Sequence, residues 1–370
     1  MNKLKSTGMI RLIAFFLVTV VLVCAFGFSA DGWQLFNDKE QNKNQSLNTG
    51  VGNNSQQGGQ DTETVTPPQY NTPAYTSPLT GLEITREQSL VRPISFVLDG
   101  SSPLYSLSLC DVTVELPVEN GGTRILAITS DMTNAWKIGS LAQTRGYISN
   151  IGKFFDAIIA SGGNDDSIEY ISCDTTKDEL LLSVENTYCY SEYSYYLYTN
   201  VNLITSAINA YQISQNKTDG KSSPFNFVEY GADDIGGEIS SGSVSVAYSS
   251  SVVCRFDYSE ENGYYTLSRN GNLNNDLLNN SSLNFKNCLI LFADSVTYEG
   301  ASGAQTVMNT IGNGDGYYFT NGSAIRIKWQ SDAEGNLMLT DESGSPLTIN
   351  RGKSYIGFVK SSRTDSVSFS

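Results

Sequence analysis

The stretch DVTVELPV-ENGG-TRILAIT, residues 111–129, predicts a β-hairpin and with it a β-rich fold. Apolar and polar residues alternate along 111–118, which is the pattern of a strand with two different faces. One face carries Val112, Val114, Leu116 and Val118, and the other carries Asp111, Thr113, Glu115 and Pro117. Asn120-Gly121-Gly122 indicates the turn, because Asn and Gly accept the positive φ angles of tight hairpin connections. The segment 123–129 is therefore predicted to return as the second strand.

The residues on either side of this hairpin predict an N-terminal mixed α/β domain over residues 78–215. The apolar run 94–98 is typical of a buried strand. A helix is predicted from apolar residues that recur at helical spacing, namely Ile148, Ile151, Phe155, Ile158 and Ile159. Gly162-Gly163 is predicted to end it as a C-cap. A second apolar stripe, opened by the capping candidates Thr199 and Asn200, consists of Val201, Ile204, Ile208 and Tyr211.

Residues 225–362 predict a second domain that is mainly β. Strand-like segments separated by Asn and Gly turns lie at 244–249, 252–258, 264–269, 288–293, 325–329, 337–340 and 355–359. Short strands at this spacing favour a sandwich or a barrel-like sheet. The predicted fold class is α+β, with the mixed α/β domain followed by the β-rich domain, behind an N-terminal membrane or signal segment and a disordered linker.

Residues 1–30 predict export. Leu12–Phe28 is an almost unbroken apolar run that follows three basic residues. Its length suits a signal peptide or a single transmembrane anchor, and the preceding basic residues keep its start in the cytoplasm. We expect a single-pass protein of the cell membrane whose bulk is extracytoplasmic. Two alternatives stay open, namely secretion after cleavage near Ala30 and lipidation at Cys24.

Residues 31–77 predict a disordered, low-complexity linker. Asn, Gln, Gly, Thr and Pro dominate this segment. Its apolar residues are too few to repay the entropy that ordering costs. A flexible coil of about forty residues spans roughly 35 Å. The linker would therefore hold the folded part at about that distance from the membrane.

Charge and composition exclude several classes of function. The net charge of −15 argues against a nucleic-acid partner, because such binding requires cations. The chain has no histidine, which excludes Ser-His-Asp and Cys-His catalysis and nearly all catalytic zinc sites. Neither a cofactor nor a metal site is predicted.

Cys110 and Cys254 are predicted to be buried thiols, and a Cys173–Cys189 disulfide is left open.

A series of short motifs along residues 78–359 carries a family resemblance. In the first predicted domain these are Pro78-Leu79-Thr80-Gly81, Arg92-Pro93, Pro103, Leu107, Asp111-Val112, Glu115, Glu119, Gly121-Gly122-Thr123-Arg124, Ile138-Gly139, Arg145, Tyr147, Phe155-Asp156-Ala157-Ile158 and Gly162-Gly163. In the second they are Tyr317-Tyr318-Phe319, Gly322, Trp329 and Gly352-Lys353-Ser354-Tyr355-Ile356. Their order and spacing resemble the YerB-like family, surface lipoproteins of Gram-positive bacteria with paired domains of unknown function. The resemblance implies location and architecture, and no reaction.

The chain departs from that family pattern at two places. Members have a further arginine and a proline where this chain has residues 139–145, and histidines near the positions of Ser161 and Tyr195. A family site that used those groups would be partly dismantled here.

The best candidate for a ligand-binding site is a polar constellation around the hairpin. It consists of Arg92, Asp111, Glu115, Glu119, Arg124 and Arg145, and Asp99 is a further candidate member. If Gly121-Gly122 makes the turn, Glu119 lies opposite Arg124, and one interpretation is a cross-strand ion pair. The other is a pocket in which Arg124 and Arg145 bind a carboxylate or phosphate in bidentate fashion.

Carboxylate catalysis is the competing hypothesis. Within one strand Asp111 and Glu115 are about 13 Å apart, from the usual rise per residue. Glycosidases need about 5–9.5 Å between their two carboxyl groups, so that pair fails. A pair from different strands, Asp99 with Glu115, stays open. No catalytic residue is assigned.

Aromatic and acidic clusters offer weaker candidates. The tyrosines at 188, 190, 193, 195, 196 and 198 form either a sugar-binding platform or ordinary strand packing. The acidic pairs at 165–166 and 233–234, and Asp315, are expected in solvated turns because no calcium-loop pattern surrounds them. A strand-start contact is expected for Lys353-Ser354.

These observations predict a membrane-anchored extracytoplasmic protein that binds or scaffolds at the cell envelope. The expected partners are the membrane, through the N-terminal segment, and a cell-wall polymer, a peptide or a surface protein. The alternative is a carboxylate-dependent hydrolase of envelope glycans.

Overall fold

The hairpin predicted at residues 111–129 lies at the centre of the largest sheet. Its strands are β2 (Val112–Pro117) and β3 (Thr123–Thr129), which pair antiparallel. The structure is a computed structural model that describes residues 72–163, 179–193, 195–300 and 303–370. Because residues 118–122 form a five-residue connection that contains the 3-10 turn Glu119–Gly121, Leu116 lies opposite Arg124. The predicted pairing of Glu119 with Arg124 across the strands is therefore wrong.

Among the described residues, the first half of the chain adds six more strands to the sheet on the β3 side and contains three helices. The strands are β1 (Ile94–Asp99), β4 (Ile138–Leu141), β5 (Ile158–Gly162), β6 (Glu179–Leu182), β7 (Tyr190–Glu192) and β8 (Tyr196–Thr199). The helices are α1 (Arg86–Ser89), α2 (Gly146–Phe154) and α3 (Val201–Ala210). β1 pairs antiparallel with β3 and parallel with β5. A three-residue connection joins α2 to β5, so the N-terminus of α2 lies at the carboxyl ends of β1 and β5.

The second half of the chain is formed of short strands. They are β9 (Asn226–Phe227), β10 (Ile239–Ser240), β11 (Ser243–Ala247), β12 (Val253–Ser259), β13 (Tyr264–Arg269), β14 (Asn272–Leu273), β15 (Asn284–Phe285), β16 (Asn287–Ala293), β17 (Ser295–Gly300), β18 (Gly303–Met308), β19 (Asn313–Thr320), β20 (Ser323–Ser331), β21 (Leu337–Asp341), β22 (Thr348–Ile349), β23 (Ser354–Lys360) and β24 (Val367–Phe369). A 3-10 segment, Ser361–Ser366, precedes the last strand.

In the described part of the chain, strands from both halves join in one mixed sheet of 14 strands. The junction is β23, which pairs in parallel with β2 on one side and with β16 on the other. A second, antiparallel sheet of six strands contains β11–β15 and β24, while β17 and β18 form a separate ribbon. The α+β prediction is confirmed in the coarser form of a mainly β molecule with few helices. The boundaries at 215 and 225 stay predictions.

Both faces of the central hairpin are buried. On one face Val114 and Leu126 pack with Ile148 and Ile151 of α2. On the other face Ile125 belongs to a cluster that includes side chains of the six-stranded sheet, among them Val244, Phe256 and Tyr265. The two-faced alternation therefore identifies the strand correctly, and the face that carries Glu115 is covered by the second sheet.

The first predicted helix is shorter than expected. α2 ends at Phe154, and Ile158 and Ile159 belong to strand β5. Asp156 has a φ of +54°, which stops the helix, and the β-branched residues that follow pair with β1. The second helix begins as predicted, because the Asn200 side chain accepts a hydrogen bond from the N–H of Leu203 at 3.0 Å.

Several predictions fall partly or wholly outside the described residues. These are the apolar run Leu12–Phe28, Cys24, the linker up to residue 71, Asp165-Asp166 and Cys173. Within the described ranges, no helix has the length and apolar character needed to cross a membrane. Cys110 and Cys254 are buried free thiols, as predicted. Cys189 and Cys288, for which no such prediction was made, are buried free thiols too. Asp315 lies in strand β19 rather than in a solvated turn.

Candidate functional site

Two of the six predicted site residues fix local structure at one end of the central strands. Arg92, just before β1, contacts Asp156 with 3.2 Å between Nε and Oδ1, and its Nε donates to the Asp156 carbonyl at 2.9 Å. Asp111, just before β2, accepts hydrogen bonds from the N–H and the hydroxyl of Ser130 at 2.9 and 2.7 Å. Neither lies with the other predicted residues, which are at the opposite end of these strands.

Arg124, Arg145 and Glu119 do come together, beside the N-terminus of α2. Arg124 Nη1 lies 3.5 Å from Oδ1 of Asp99, its cross-strand neighbour in the β1–β3 register. Arg145 Nη2 donates to Glu119 Oε1 at 2.5 Å. Burial alone would raise the pKa of Glu119, but hydrogen bonds from its own backbone and from Arg145, with the charges of Arg145 and Arg124, lower it. Glu119 is therefore ionised at neutral pH.

This charge balance fits the ion-pair interpretation, with partners other than those expected. The two arginines face two carboxylates, so the group carries no excess positive charge. A helix N-terminus attracts anions through its free N–H groups, but the nearby Glu119 already supplies a negative charge. The arrangement stabilises the junction of hairpin and helix, and it leaves neither arginine uncompensated for an incoming phosphate or carboxylate.

Glu115 lies on the other face of the hairpin and is fully buried. It forms a bidentate ion pair with Arg269 at the end of β13, with Nη1–Oε1 and Nη2–Oε2 distances of 2.7 and 2.8 Å. The hydroxyls of Thr123 and Tyr355 also donate to it, at 2.6 and 2.9 Å. Burial alone would raise the pKa of Glu115, but the charge of Arg269 and these hydrogen bonds lower it. Glu115 thus joins the two halves as an ionised, satisfied carboxylate.

The groups around this pair complete a buried network. The hydroxyl oxygens of Tyr248 and Tyr355 are 2.9 Å apart, and the thiol of Cys254 donates to Glu115 Oε2 at 3.6 Å. Burial raises the pKa of Tyr355 and of Cys254, so both stay protonated donors. Gly357 leaves room for the network, since a Cβ there would collide with the Tyr248 hydroxyl.

The open carboxylate pair, Asp99 with Glu115, is not formed. In the strand register Glu115 shares a face with Ile125 and Leu98, while Asp99 shares the opposite face with Arg124. Neighbouring residues along a strand point to opposite sides. The two carboxyl groups therefore cannot flank one glycosidic bond.

A cleft of about 590 Å³ lies beyond Arg269, between segments of the two halves. Its lining is mostly small or polar and contains no acidic residue. The lining residues are Gly100, Ser101, Ser102, Pro103, Leu104, Asn120, Gly121, Gly122, Ser251, Val252, Arg269, Asn270, Leu273, Asn274, Asn275 and Leu277. The volume is in the range of small-ligand pockets, about 300–1,000 Å³.

A second buried carboxylate fixes one wall of this cleft. Asp276 accepts hydrogen bonds from the N–H groups of Ser106 and Ser108 at 2.9 and 2.8 Å and from the Ser108 hydroxyl at 2.6 Å. Next to it, the N–H of Leu277 donates to the carbonyl of Leu104 at 3.0 Å. These bonds attach the loop after β14 to the first half, so the cleft is preformed.

Sequence reasoning missed Arg269, Asp276 and the cleft. Arg269 is 154 residues from Glu115 along the chain, and no local pattern links the two. A charged residue at the end of the predicted strand 264–269 was the only sign available. The Asn-rich loop that follows it was visible as a turn region, but its docking on residues 100–108 depends on tertiary structure.

Some side chains of the tyrosine cluster at residues 188–198 are packed in the fold, and others are exposed to solvent. Tyr198 is buried, and with Tyr105 it encloses the ammonium group of Lys137, which lies 4.1 and 4.0 Å from the two ring centroids. Lys137 also pairs with Glu192 at 2.8 Å. Tyr193 and Tyr195 are exposed. Packing therefore explains the centre of the cluster, and the platform interpretation applies to its exposed tip alone.

Two smaller expectations concern metals and the Lys353-Ser354 pair. Among the described residues, no three Cys, Asp or Glu side chains are grouped so as to hold a metal ion. The Lys353 ammonium donates to the Ser108 carbonyl at 2.5 Å, and the N–H of Ser354 donates to the carbonyl of Asp111 at 3.0 Å. These are contacts at the start of β23, as expected.

Comparison with known proteins identifies the family. The model described as the protein of unknown function (DUF3048) N-terminal domain matches residues 79–214, and its C-terminal counterpart matches residues 244–356. The crystal structure of the YerB protein from Bacillus subtilis is similar, with a TM-score of 0.67 and 21% identity over 80% of this chain and 99% of that chain. No curated protein matches. The chain belongs to the DUF3048 family of proteins of unknown function, as its YerB-like motifs predicted.

Proposed function

We propose that this chain is a non-catalytic binding module of the bacterial cell envelope, and that its ligand binds in the cleft between the two halves. The apolar run Leu12–Phe28 and the linker after it support a location of the folded part on the extracytoplasmic side of the membrane. A wall polymer, a peptide or another surface protein is then the accessible ligand.

The lining of the cleft is the observation that carries this proposal. None of its residues is Asp or Glu. Two carboxylates bind lining residues from outside the cleft. Asp99 accepts from the N–H of Ser101 at 3.0 Å and pairs with Arg124. Glu115 is fully buried and bound to Arg269, Thr123 and Tyr355. A glycan hydrolase needs two carboxyl groups beside the scissile bond. The lining favours binding over the alternative of a carboxylate-dependent hydrolase.

The rigidity of the cleft also supports binding. One wall comes from residues 100–104 and the other from residues 269–277, and the Asp276 hydrogen bonds fasten them together. A preformed site spends less of its interaction energy on ordering loops when a ligand binds.

The proposal can be tested by co-sedimentation of the full-length chain, in detergent, with purified wall material. We expect saturable binding that Leu277→Ala weakens, since Leu277 lines the cleft and is 51% exposed. Leu90→Ala is the matched control, because Leu90 is 57% exposed and lies outside the cleft.

The two functions give different results in this assay. Equal loss of binding in both variants, or no binding by the parent chain, would remove the proposal. Release of sugar reducing ends by the parent chain, lost on Glu115→Gln while binding persists, would establish the hydrolase instead.

A further inference from the structure

The polar groups of the cleft are mostly uncharged and partly unused. The hydroxyls of Ser101 and Ser102 and the amide of Asn120 have no hydrogen-bond partner among the described residues. Each hydroxyl or amide can donate and accept at once, which is what a sugar hydroxyl also does. Asn274 adds an amide N–H that is likewise without a partner in the described part of the chain.

The single charged residue of the lining does not provide a site for an anion. Both Nη groups of Arg269 are bound to Glu115, so its charge is compensated within the fold. The whole chain has a net charge of −15, which repels a polyanion at low ionic strength. Phosphate-rich or carboxylate-rich polymers therefore fit this cleft poorly.

Two exposed leucines of the lining lie on the wall formed by residues 269–277. Leu273 and Leu277 are 54% and 51% exposed, and both line the cleft. Exposed aliphatic groups beside amides and hydroxyls match a molecule that has C–H faces and a rim of hydroxyls. An uncharged sugar ring has both.

A peptide fits less well. Extended peptides commonly bind by adding a strand to a free sheet edge. The sheet edge at this cleft is β14, which is only Asn272–Leu273. Two residues are too few to hold an added strand in register.

From these observations we infer that the cleft binds an uncharged carbohydrate of the cell envelope, with Ser101, Ser102 and Asn120 donating to and accepting from its hydroxyls. The inference rests on the proposed function, because it names the ligand class of the same cleft.

The test divides one wall preparation into three probes: the uncharged polysaccharide, the soluble phosphate polymer and the free wall peptides. Full-length chain in detergent is titrated with each by calorimetry, at 50 mM and 500 mM NaCl. We expect binding of the uncharged polysaccharide with a Kd that changes less than about threefold between the two salts, because no charged contact is screened.

A triple variant tests the residues. Ser101→Ala/Ser102→Ala/Asn120→Gly removes three side chains that make no bond in the fold, and Gly suits position 120, where φ is +60°. Three lost hydrogen bonds should weaken binding at least about tenfold. The control Asn209→Ala/Ser362→Ala, at exposed sites outside the cleft, should leave the Kd within about twofold.

The outcomes separate this inference from the proposed function. Binding of the phosphate polymer with a steep salt dependence, or of the peptides, would overturn the carbohydrate assignment and leave the binding function intact. Carbohydrate binding that the triple variant does not change would also overturn it. Absence of binding to all three probes would overturn both.

Discussion

Two ion pairs of different kinds lie at the central hairpin. Beside the N-terminus of α2, Arg145 and Glu119 keep 15% and 20% of their side-chain surface exposed. On the face toward the second sheet, Arg269 keeps 12% of its side-chain surface exposed and Glu115 keeps none. The first pair connects neighbouring elements of the same half, while the second connects the two halves. The difference teaches that Glu115, which the strand alternation turns toward the second sheet, joins the two halves, whereas Glu119, in the connection after that strand, makes a local contact.

The largest effect should come from breaking the buried pair. Arg269→Met leaves the Glu115 carboxylate buried without its cation, which costs about 3–5 kcal/mol of unfolding free energy. Urea denaturation followed by tryptophan fluorescence measures the loss. Arg255→Met in the neighbouring strand β12 is the control, because its pair with Asp257 is solvent-exposed and contributes little to stability. Similar losses in the two variants would contradict the contrast.

Removing both partners should restore much of that stability. In Glu115→Leu/Arg269→Met no charge is left buried, and apolar replacement of buried ion pairs is often neutral or stabilising. We expect the double variant to be more stable than Arg269→Met alone in the same urea experiment. A double variant as unstable as the single one would mean that the penalty arises from lost packing.

The partly exposed pair should matter less. Arg145→Met removes a charged hydrogen bond to Glu119 in a site that solvent partly screens, so we expect a loss of about 1–2 kcal/mol. A loss as large as that of Arg269→Met would contradict the distinction between the two ion pairs.

Acidification provides the smallest and most graded test. The folded-state pKa of Glu115 is lowered, so its stabilising effect is complete above its unfolded pKa, about 4.3, and is lost as the pH falls through the lower folded value. We expect the parent chain to lose stability steadily from pH 5 to pH 3. The Glu115→Leu/Arg269→Met variant should lose less over the same range. Parallel curves for the two proteins would show that Glu115 is not ionised in the fold.

The sequence predicts those features that depend on neighbouring residues. The alternation at 112–118, the return strand and the Asn200 cap are local, and all three are present. The helix boundary is wrong because Ile158 and Ile159 fit helical spacing as well as a strand, and pairing with β1 decides between them. Periodicity alone does not separate these two states over so short a run.

The site was predictable only in part, for a related reason. Arg124, Arg145 and Glu119 were identified because the hairpin and the start of α2 lie close in sequence. The predicted pairing of Glu119 with Arg124 across the strands was wrong, because the connection 118–122 is longer than a tight turn. Arg269 and Asp276 join residues more than 150 positions away, and such pairs are fixed by the packing of the two sheets rather than by any local pattern.

Hydrogen exchange on the full-length chain, with and without the uncharged wall polysaccharide, tests the central claim most directly. Binding in the cleft predicts added protection at residues 100–104 and 269–277, with no change along α2. Protection confined to other segments, or none at saturating polysaccharide, would contradict the assignment of the cleft between the halves as the binding site.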